Sequence, residues 1–386
     1  MSWSTVRADQ FCTLITDGTH DSPKPQQSGW KLITSKHLKG HYIDFDSANW
    51  ISEADYLKVI SRSAVEQWDI LFSMIGTIGN IYLEKNPHVE YACKNMGIFK
   101  FSGNKENALW MYYYLKSPQA KAYIQTHLRG STQAYVPLGG LREMPVPVPP
   151  QSVRNEIIAV LRPIDEKIEC NNAINDNLQQ QAAALFSSLY DRSNTEVRFT
   201  DLIQILGGGT PKTGENTYWN GNIAFFTPKD VGTPYTLITE KTISKEGLSH
   251  CNSRLYPVNT VFVTARGTVG KVGMSGVPMA MNQSCYALVG KETHQLLVYF
   301  YTLKAVDRLK HKASGAVFDA ITTRDFESEQ IMKLSHDDAT AFLRVAEPMF
   351  QEALNNNIEN LRLSTLRDSL LPKLMSGEID VSAVQL

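Results

Sequence analysis

The chain has 386 residues, of which 42% are apolar and 20% charged; this is the range of ordinary globular proteins, and the length predicts two to three domains at roughly 150 residues each. Its 38 basic side chains against 39 acidic ones leave a net charge of -1. That balance excludes a histone-like mode of nucleic-acid binding and confines any polyanion surface to local patches.

Apolar stretches such as Leu296 to Tyr301 fall far short of the roughly 20 residues a bilayer span needs. The opening "MSWSTVRADQF" has neither a basic start nor an apolar core, so the sequence reads as cytoplasmic. Cys12, Cys93, Cys170, Cys251 and Cys285 form no CxxC pair and have no histidine at ligand spacing, which points to reduced thiols and to neither a disulfide framework nor a zinc site.

The second half of the chain repeats the first. "LITDGTH" (14–20) answers "ILGGGTP" (205–211), "GWKLITSK" (29–36) answers "GNIAFFTPK" (221–229), and "ILFSMIGTIGN" (70–80) answers "VFVTARGTVGK" (261–271). From Gly130 and Gly315 onward the copies keep a constant register, with Pro163 matching Pro348 and Leu178 matching Leu363. The period is too long for a solenoid, so each copy is expected to be a domain in itself.

In chain order, residues 1–150 read as a mixed segment of glycine, aromatic and β-branched residues, ending in the proline-rich "EMPVPVPPQ". A helix is predicted from Gln151 or Ser152, with Ser152 and Glu156 near its start, over a segment 151–192. Its alternating four and three spacing selects Ile157, Leu161, Ile164, Ile168, Asn171, Asn175, Leu178, Ala182, Leu185 and Leu189, the seam of a coiled coil. A second mixed segment follows over 193–335, and a second helical one over 336–386. There the same count gives Phe342, Ala346, Met349, Ala353, Asn356, Asn360, Leu363, Arg367, Leu370 and Leu374. Asn171, Asn175, Asn356 and Asn360 are the expected register-setting residues, because a slipped pairing leaves their amides unsatisfied; the two helices are expected to pair with each other. Pro163 and Pro348 are expected to break or kink them.

Sorted by segment, the net charges are +2, -2, +3 and -4, so the mixed domains are basic and the helices acidic. This fits mixed domains that meet a polyanion and helices that meet protein. Basic and amide side chains beside glycines are the candidate DNA contacts, since glycine lets backbone approach phosphate while these side chains read base edges. They are Lys36, His37, Arg129, Ser131, Thr132 and Gln133 in the first domain, and Lys229, Arg266, Thr268, Lys271, Asn282, Gln283, Lys312 and Ser314 in the second. Arg142 and Arg324 follow the matched glycine loops. "ARGTVGK" carries Arg266 and Lys271 where "MIGTIGN" carries Ile75 and Asn80. The aromatic runs "LWMYYYL" (109–115) and "LLVYFYTL" (296–303) read as buried helix in preference to base-stacking platforms.

No catalytic or metal-binding motif is found. "GGGTPKTGE" has Glu215 where a phosphate loop requires lysine, and there is no dinucleotide fingerprint, HExxH or GxSxG.

The segments "PVPVPPQSVRNEIIAVLRPIDEKIECNN" (145–172), "FSMIGTIGN", "FVTARGTVGK" and "LRDSLLPKLMSGEID" (366–380) resemble the specificity subunits of type I restriction-modification enzymes, and the resemblance spans nearly the whole chain. It implies an α+β fold in which two homologous target-recognition domains are separated by two long antiparallel helices. It implies a non-catalytic subunit that reads an asymmetric, bipartite double-stranded DNA target and recruits two adenine methyltransferase subunits and restriction-translocase subunits. S-adenosylmethionine, ATP and magnesium would then be bound by those partners, with no cofactor and no metal on this chain. The pattern departs at Ser152 to Asn155, where glutamate and glutamine usually follow the prolines, and in "SHDDATAFL", which lacks the prolines. The recognition subunit of a related system whose single partner both cuts and methylates, and a coiled-coil adaptor without DNA specificity, remain the alternatives.

Overall fold

In a computed structural model the structure describes residues 3–40, 42–232, 234–312 and 320–381. Its contacts divide the chain into two compact units, one formed by residues 1–169 with 362–386 and the other by 170–361. Each is mixed α and β.

In the first unit, an antiparallel four-stranded sheet runs in the order Leu14–Asp17, Met96–Lys100, Ile70–Ser73, Ile81–Leu83. Beside it, Trp30–Ile33 pairs antiparallel with Asn49–Ile51 and parallel with Tyr91–Cys93. The strand Ile70–Ser73 is buried at every position, as expected for an unbroken apolar run in the middle of a sheet. The helix Lys105–Lys116 buries the whole of Ala108 to Leu115 in the core of this unit, so the aromatic run is core. Trp110 satisfies its indole nitrogen on the Pro147 carbonyl at 2.8 Å, and Pro147 itself lies on an edge strand, Pro145–Val148, paired with Ser4–Arg7.

The second unit repeats this plan. Ile203–Gly207, Cys285–Gly290, Val261–Thr264 and Val272–Ser275 take the places of the four strands, with Tyr235–Thr236 added in parallel at the edge. Trp219–Phe226 again lies between an antiparallel neighbour, Lys241–Ile243, and a parallel one, Met279–Met281. The helix Gln295–Lys312 buries Leu296 to Thr302, and Gln330–Lys333 pairs with Thr195–Arg198 as the first unit's edge strands do. The fold is therefore α+β with a duplicated core.

Two long helices, Gln151–Asp191 and His336–Ser376, contribute to both units. None of the twenty seam positions is exposed. In the first unit, Ile157, Ile158 and Leu161 share a core with Leu371, Leu374 and Met375. Here Asp165 is buried and accepts from Arg367 at 2.7 Å and from Lys116 at 3.2 Å. In the second unit, Phe186 lies among Phe300, Tyr301 and Phe342. Asn171 donates to Asn360 at 2.9 Å and to Glu359 at 2.7 Å. Asn356 donates to Asn175 at 2.9 Å, and Asn175 to Asn357 at 3.1 Å. Partner numbers fall along one helix as they rise along the other, so the pairing is antiparallel in both units.

Of the expected break or kink, the break does not occur: both helices run on through Pro163 and Pro348. Proline removes one backbone donor and crowds the preceding turn. Buried contacts stand on both sides of each, Leu161 and Asp165 about Pro163 and Ala346 and Phe350 about Pro348, and they hold the helix through the defect.

Burial pushes the Asp165 carboxyl up, but Lys116 and Arg367 outweigh it and hold its pKa below the ordinary value. A carboxylate with a lowered pKa in the folded state stabilises the fold above its unfolded pKa and loses that contribution as pH falls through the folded one. Acid titration of stability is therefore expected to be shallower in Asp165→Asn than in the wild type below the ordinary carboxylate range. Denaturation midpoints between neutral pH and pH 3 measure it; parallel curves would show that the pair contributes nothing.

Candidate nucleic-acid interface

The matched glycine blocks build one backbone device twice. Ser73 N donates to Asn80 O at 2.8 Å and Gly79 N to Ser73 O at 3.0 Å; Thr264 N donates to Lys271 O at 3.0 Å and Gly270 N to Thr264 O at 2.9 Å. Gly76 and Gly79 (φ 78° and 88°), like Gly267 and Gly270 (φ 82° and 74°), occupy the left-handed region that side chains disfavour. The glycines are needed for the turn itself, and the residues between them decide its chemistry. In the second domain Arg266, Thr268 and Lys271 are exposed on it. In the first, Asn80 turns inward and donates to the Leu38 carbonyl at 3.4 Å.

Arg129 and Tyr135 close a hairpin by exchanging backbone hydrogen bonds of 2.8 and 2.9 Å, with Ser131, Thr132 and Gln133 exposed at its tip. Tyr135 also bridges Ile75, and Val136 N donates to Met74 O at 2.9 Å, so this hairpin lies against the first domain's glycine turn. Four predicted residues thereby gather at one rim. Lys36 is exposed on the short turn Ser35–His37 of the same domain.

In the second domain, Lys229, Arg266, Thr268 and Asn282 line one open cleft of about 390 Å³, together with Lys241 and Ser284. Lys229 is paired with Glu240 at 3.4 Å, with both side chains largely in solvent, a geometry of small energetic weight. Asn282 accepts from the Ser284 backbone at 3.0 Å, and Gln283 stands exposed between them, its carbonyl taken by the Thr210 hydroxyl.

The first domain has a cleft of about 500 Å³ that includes Thr19, Lys24, Lys58 and Arg62. Arg62 donates to Asp17 at 2.6 Å, His20 lies between Asp17 and Asn95 at 2.8 Å from each, and Lys94 donates to Ser22. None of these residues was singled out from sequence. The repeat held the signal: "ACKN" (92–95) ends the strand that matches "AMNQ" (280–283), so the amides chosen in one copy pointed to Lys94 and Asn95 in the other.

Two predicted contacts are engaged within the fold. His37 is 1% exposed, and its Nδ1 accepts from the Thr34 backbone at 2.9 Å, closing the turn it sits on. Burial pushes its pKa down, and the ring serves the turn that holds it. Lys312 donates to Glu329, which is 0% exposed and also faces Arg308 at 3.6 Å. Its charge is paired with a buried carboxylate, while more than half of its side chain stays in solvent. Ser314 lies outside the described residues. Arg142 spends its guanidinium on the Ile15 carbonyl at 2.9 and 3.1 Å, while Arg324 is exposed on the short helix Thr323–Ser328.

The second and third glycines of "GGGTP" serve packing. A Cβ on Gly208 would stand 2.2 Å from the Asn282 carbonyl oxygen, and one on Gly209 2.6 Å from the Asn252 nitrogen. Among the described residues no group of His, Cys, Asp and Glu is arranged to hold a metal ion, and no helix is long and apolar enough to cross a membrane.

Comparison with known proteins places these features in a context. A family model described as the type I restriction modification DNA specificity domain matches residues 3–180 and again 192–333. The chain is 22% identical to the specificity subunit of the type I restriction enzyme HindI of Haemophilus influenzae, over 85% of this chain and 90% of that one. It is 26% identical to the EcoR124I/EcoR124II specificity subunit of Escherichia coli over 51% of each. Among solved structures, the S subunit of the type I restriction-modification system from M. genitalium superposes with a TM-score of 0.56 at 14% identity, covering 97% of this chain and 96% of that one.

Because Lys312 neutralises a buried carboxylate, Lys312→Ala is expected to lower the stability of the fold by about 1–2 kcal/mol, less than a fully buried pair since Arg308 remains. The salt dependence of DNA binding should stay the same. Urea denaturation and a salt titration of binding measure the two effects; a reduced salt slope at unchanged stability would restore Lys312 as a phosphate contact.

Proposed function

The chain belongs to the type I restriction modification DNA specificity family, matched through both of its repeats, and from that premise we propose how its two halves divide the work. It is a specificity subunit with two target-recognition domains. On our reading residues 1–150 address one half of an asymmetric, bipartite DNA target and residues 193–335 the other. One observation carries this: the same backbone turn is built twice but bears Ile75 and Asn80 in one copy and Arg266 and Lys271 in the other. Equal scaffolds with unequal side chains address unequal half-sites.

The chain itself is read as non-catalytic, with Arg266, Lys271, Lys229 and the Arg129–Gln133 hairpin contacting DNA. The helical segments 151–192 and 336–386 set the distance between half-sites and carry the methyltransferase subunits. Asn171, Asn175, Asn356 and Asn360 fix the helix register. S-adenosylmethionine, ATP and magnesium belong to the methyltransferase and restriction partners. Supporting this division are the net charges of +2 and +3 on the two domains against -2 and -4 on the helical segments.

In complex with its methyltransferase, the chain should bind one bipartite duplex in clear preference to scrambled duplexes at physiological salt. Arg266→Ala and Lys271→Ala should each reduce the slope of log K against log salt by about 0.9, the counterion released by one phosphate contact. Salt titrations of binding measure both. Equal affinity for all duplexes would contradict the reading and favour an adaptor, and an unchanged slope would remove the two cations from the interface.

A further inference from the structure

The two domains hold an equivalent carboxamide in an equivalent way, although the groups that hold it differ. Asn95 and Gln283 each follow the strand that lies parallel to the Trp30–Ile33 or Trp219–Phe226 strand, and each precedes the strand paired with the one that opens the glycine turn. The loop after each domain's first sheet strand supplies the clamp. In the first domain the His20 ring bridges Asp17 Oδ2 and Asn95 Oδ1, 2.8 Å from each. In the second, the Thr210 hydroxyl engages Gln283 Oε1. Backbone bonds lock the same loops together: Asn95 N donates to Thr19 O at 3.1 Å, and Gly209 N to Met281 O at 3.1 Å.

In both cases the amide oxygen is the atom engaged, at His20 by a ring whose two nitrogens both face oxygens and both donate, and among the described residues no hydrogen bond is made to the amino end. Asn95 has φ 54°, a conformation that asparagine tolerates better than most residues. Gln283 is exposed between Asn282 and Ser284 of the cationic cleft, and Asn95 adjoins Lys94 and the loop that lines the other cleft. A side chain kept rigid at such a rim costs little entropy when it engages a base, and that favours selectivity.

We propose that Asn95 and Gln283 are the paired specificity-determining amides of the two domains, each presenting its amino group to a hydrogen-bond acceptor on a base edge, with His20 and Thr210 as positioning residues. Guanine O6 and N7 and thymine O4 are such acceptors in the major groove, whereas the cytosine N4 amino group is not. The inference rests on the reading of the chain as a two-domain DNA specificity subunit.

The test is selection from a randomised duplex library by the complex of the full chain with its methyltransferase, for the wild type, Asn95→Gly and Gln283→Ala. Glycine keeps the left-handed backbone at 95 while removing the amide. Each variant is expected to relax discrimination on the order of 10-fold at one base position, Asn95→Gly in one half-site and Gln283→Ala in the other, with the salt slope unchanged. His20→Ala should loosen the same position as Asn95→Gly and no other. Wild-type and variant motifs that coincide, or variants that weaken binding uniformly at all sequences, would overturn the inference while leaving the two-domain reading intact. A wild-type complex that selects no motif would overturn that reading itself.

Discussion

A polar group buried between two helices must meet a partner of matching polarity, and along the paired helices of this chain that requirement is met at particular places only. Asp165 reaches two cations, Lys116 from the first domain and Arg367 from the opposing helix. In the second unit the amides of Asn171, Asn175, Asn356 and Asn360 bond across the seam, to one another and to Asn172, Asn357 and Glu359. A shift of either helix by one turn would set Asp165 opposite leucine in place of Arg367 and leave one asparagine of each helix opposite an apolar seam residue, stranding each of these groups at a cost of about 1–3 kcal/mol. Apolar seam positions tolerate such a shift far better. Polar contacts thus define the register, and apolar ones supply the bulk of the burial.

The same economy shows in the domains. The turn after Ile70–Ser73 and after Val261–Thr264 depends on glycines at positive φ and on backbone hydrogen bonds, so its shape is independent of the side chains it displays. Ile75 can stand where Arg266 stands without disturbing the fold. A duplicated scaffold of this kind lets the side chains displayed at the rim differ between the copies while the glycines and strands below them stay the same.

Much of this was legible in the sequence because it repeats. The seam from Ile157 to Leu189 and from Phe342 to Leu374 emerged from spacing alone, since a helix shows its buried face at fixed intervals. The rim was only partly legible. Composition cannot separate a basic residue that faces solvent from one that completes the fold: Lys312 and His37 share their neighbours' chemistry, yet one answers the buried Glu329 and the other closes its own turn. Arg62 and Lys58 carry no such compositional signal at all. They lie on a helix without glycine neighbours, and only the folding of the Thr19 to Gln26 loop brings them to a cleft. Pro163 illustrates a third gap, because its local penalty is plain in sequence while the packing that overrides it is not.

The measurement that bears most directly on the central claim is a genome-wide map of modified adenines in cells expressing a methyltransferase partner with and without this chain. Two unlike recognition rims on one repeated scaffold predict a split, asymmetric motif with a fixed spacer that disappears when the chain is withheld. Methylation that is palindromic, or that lacks sequence preference while the complex demonstrably forms, would contradict it.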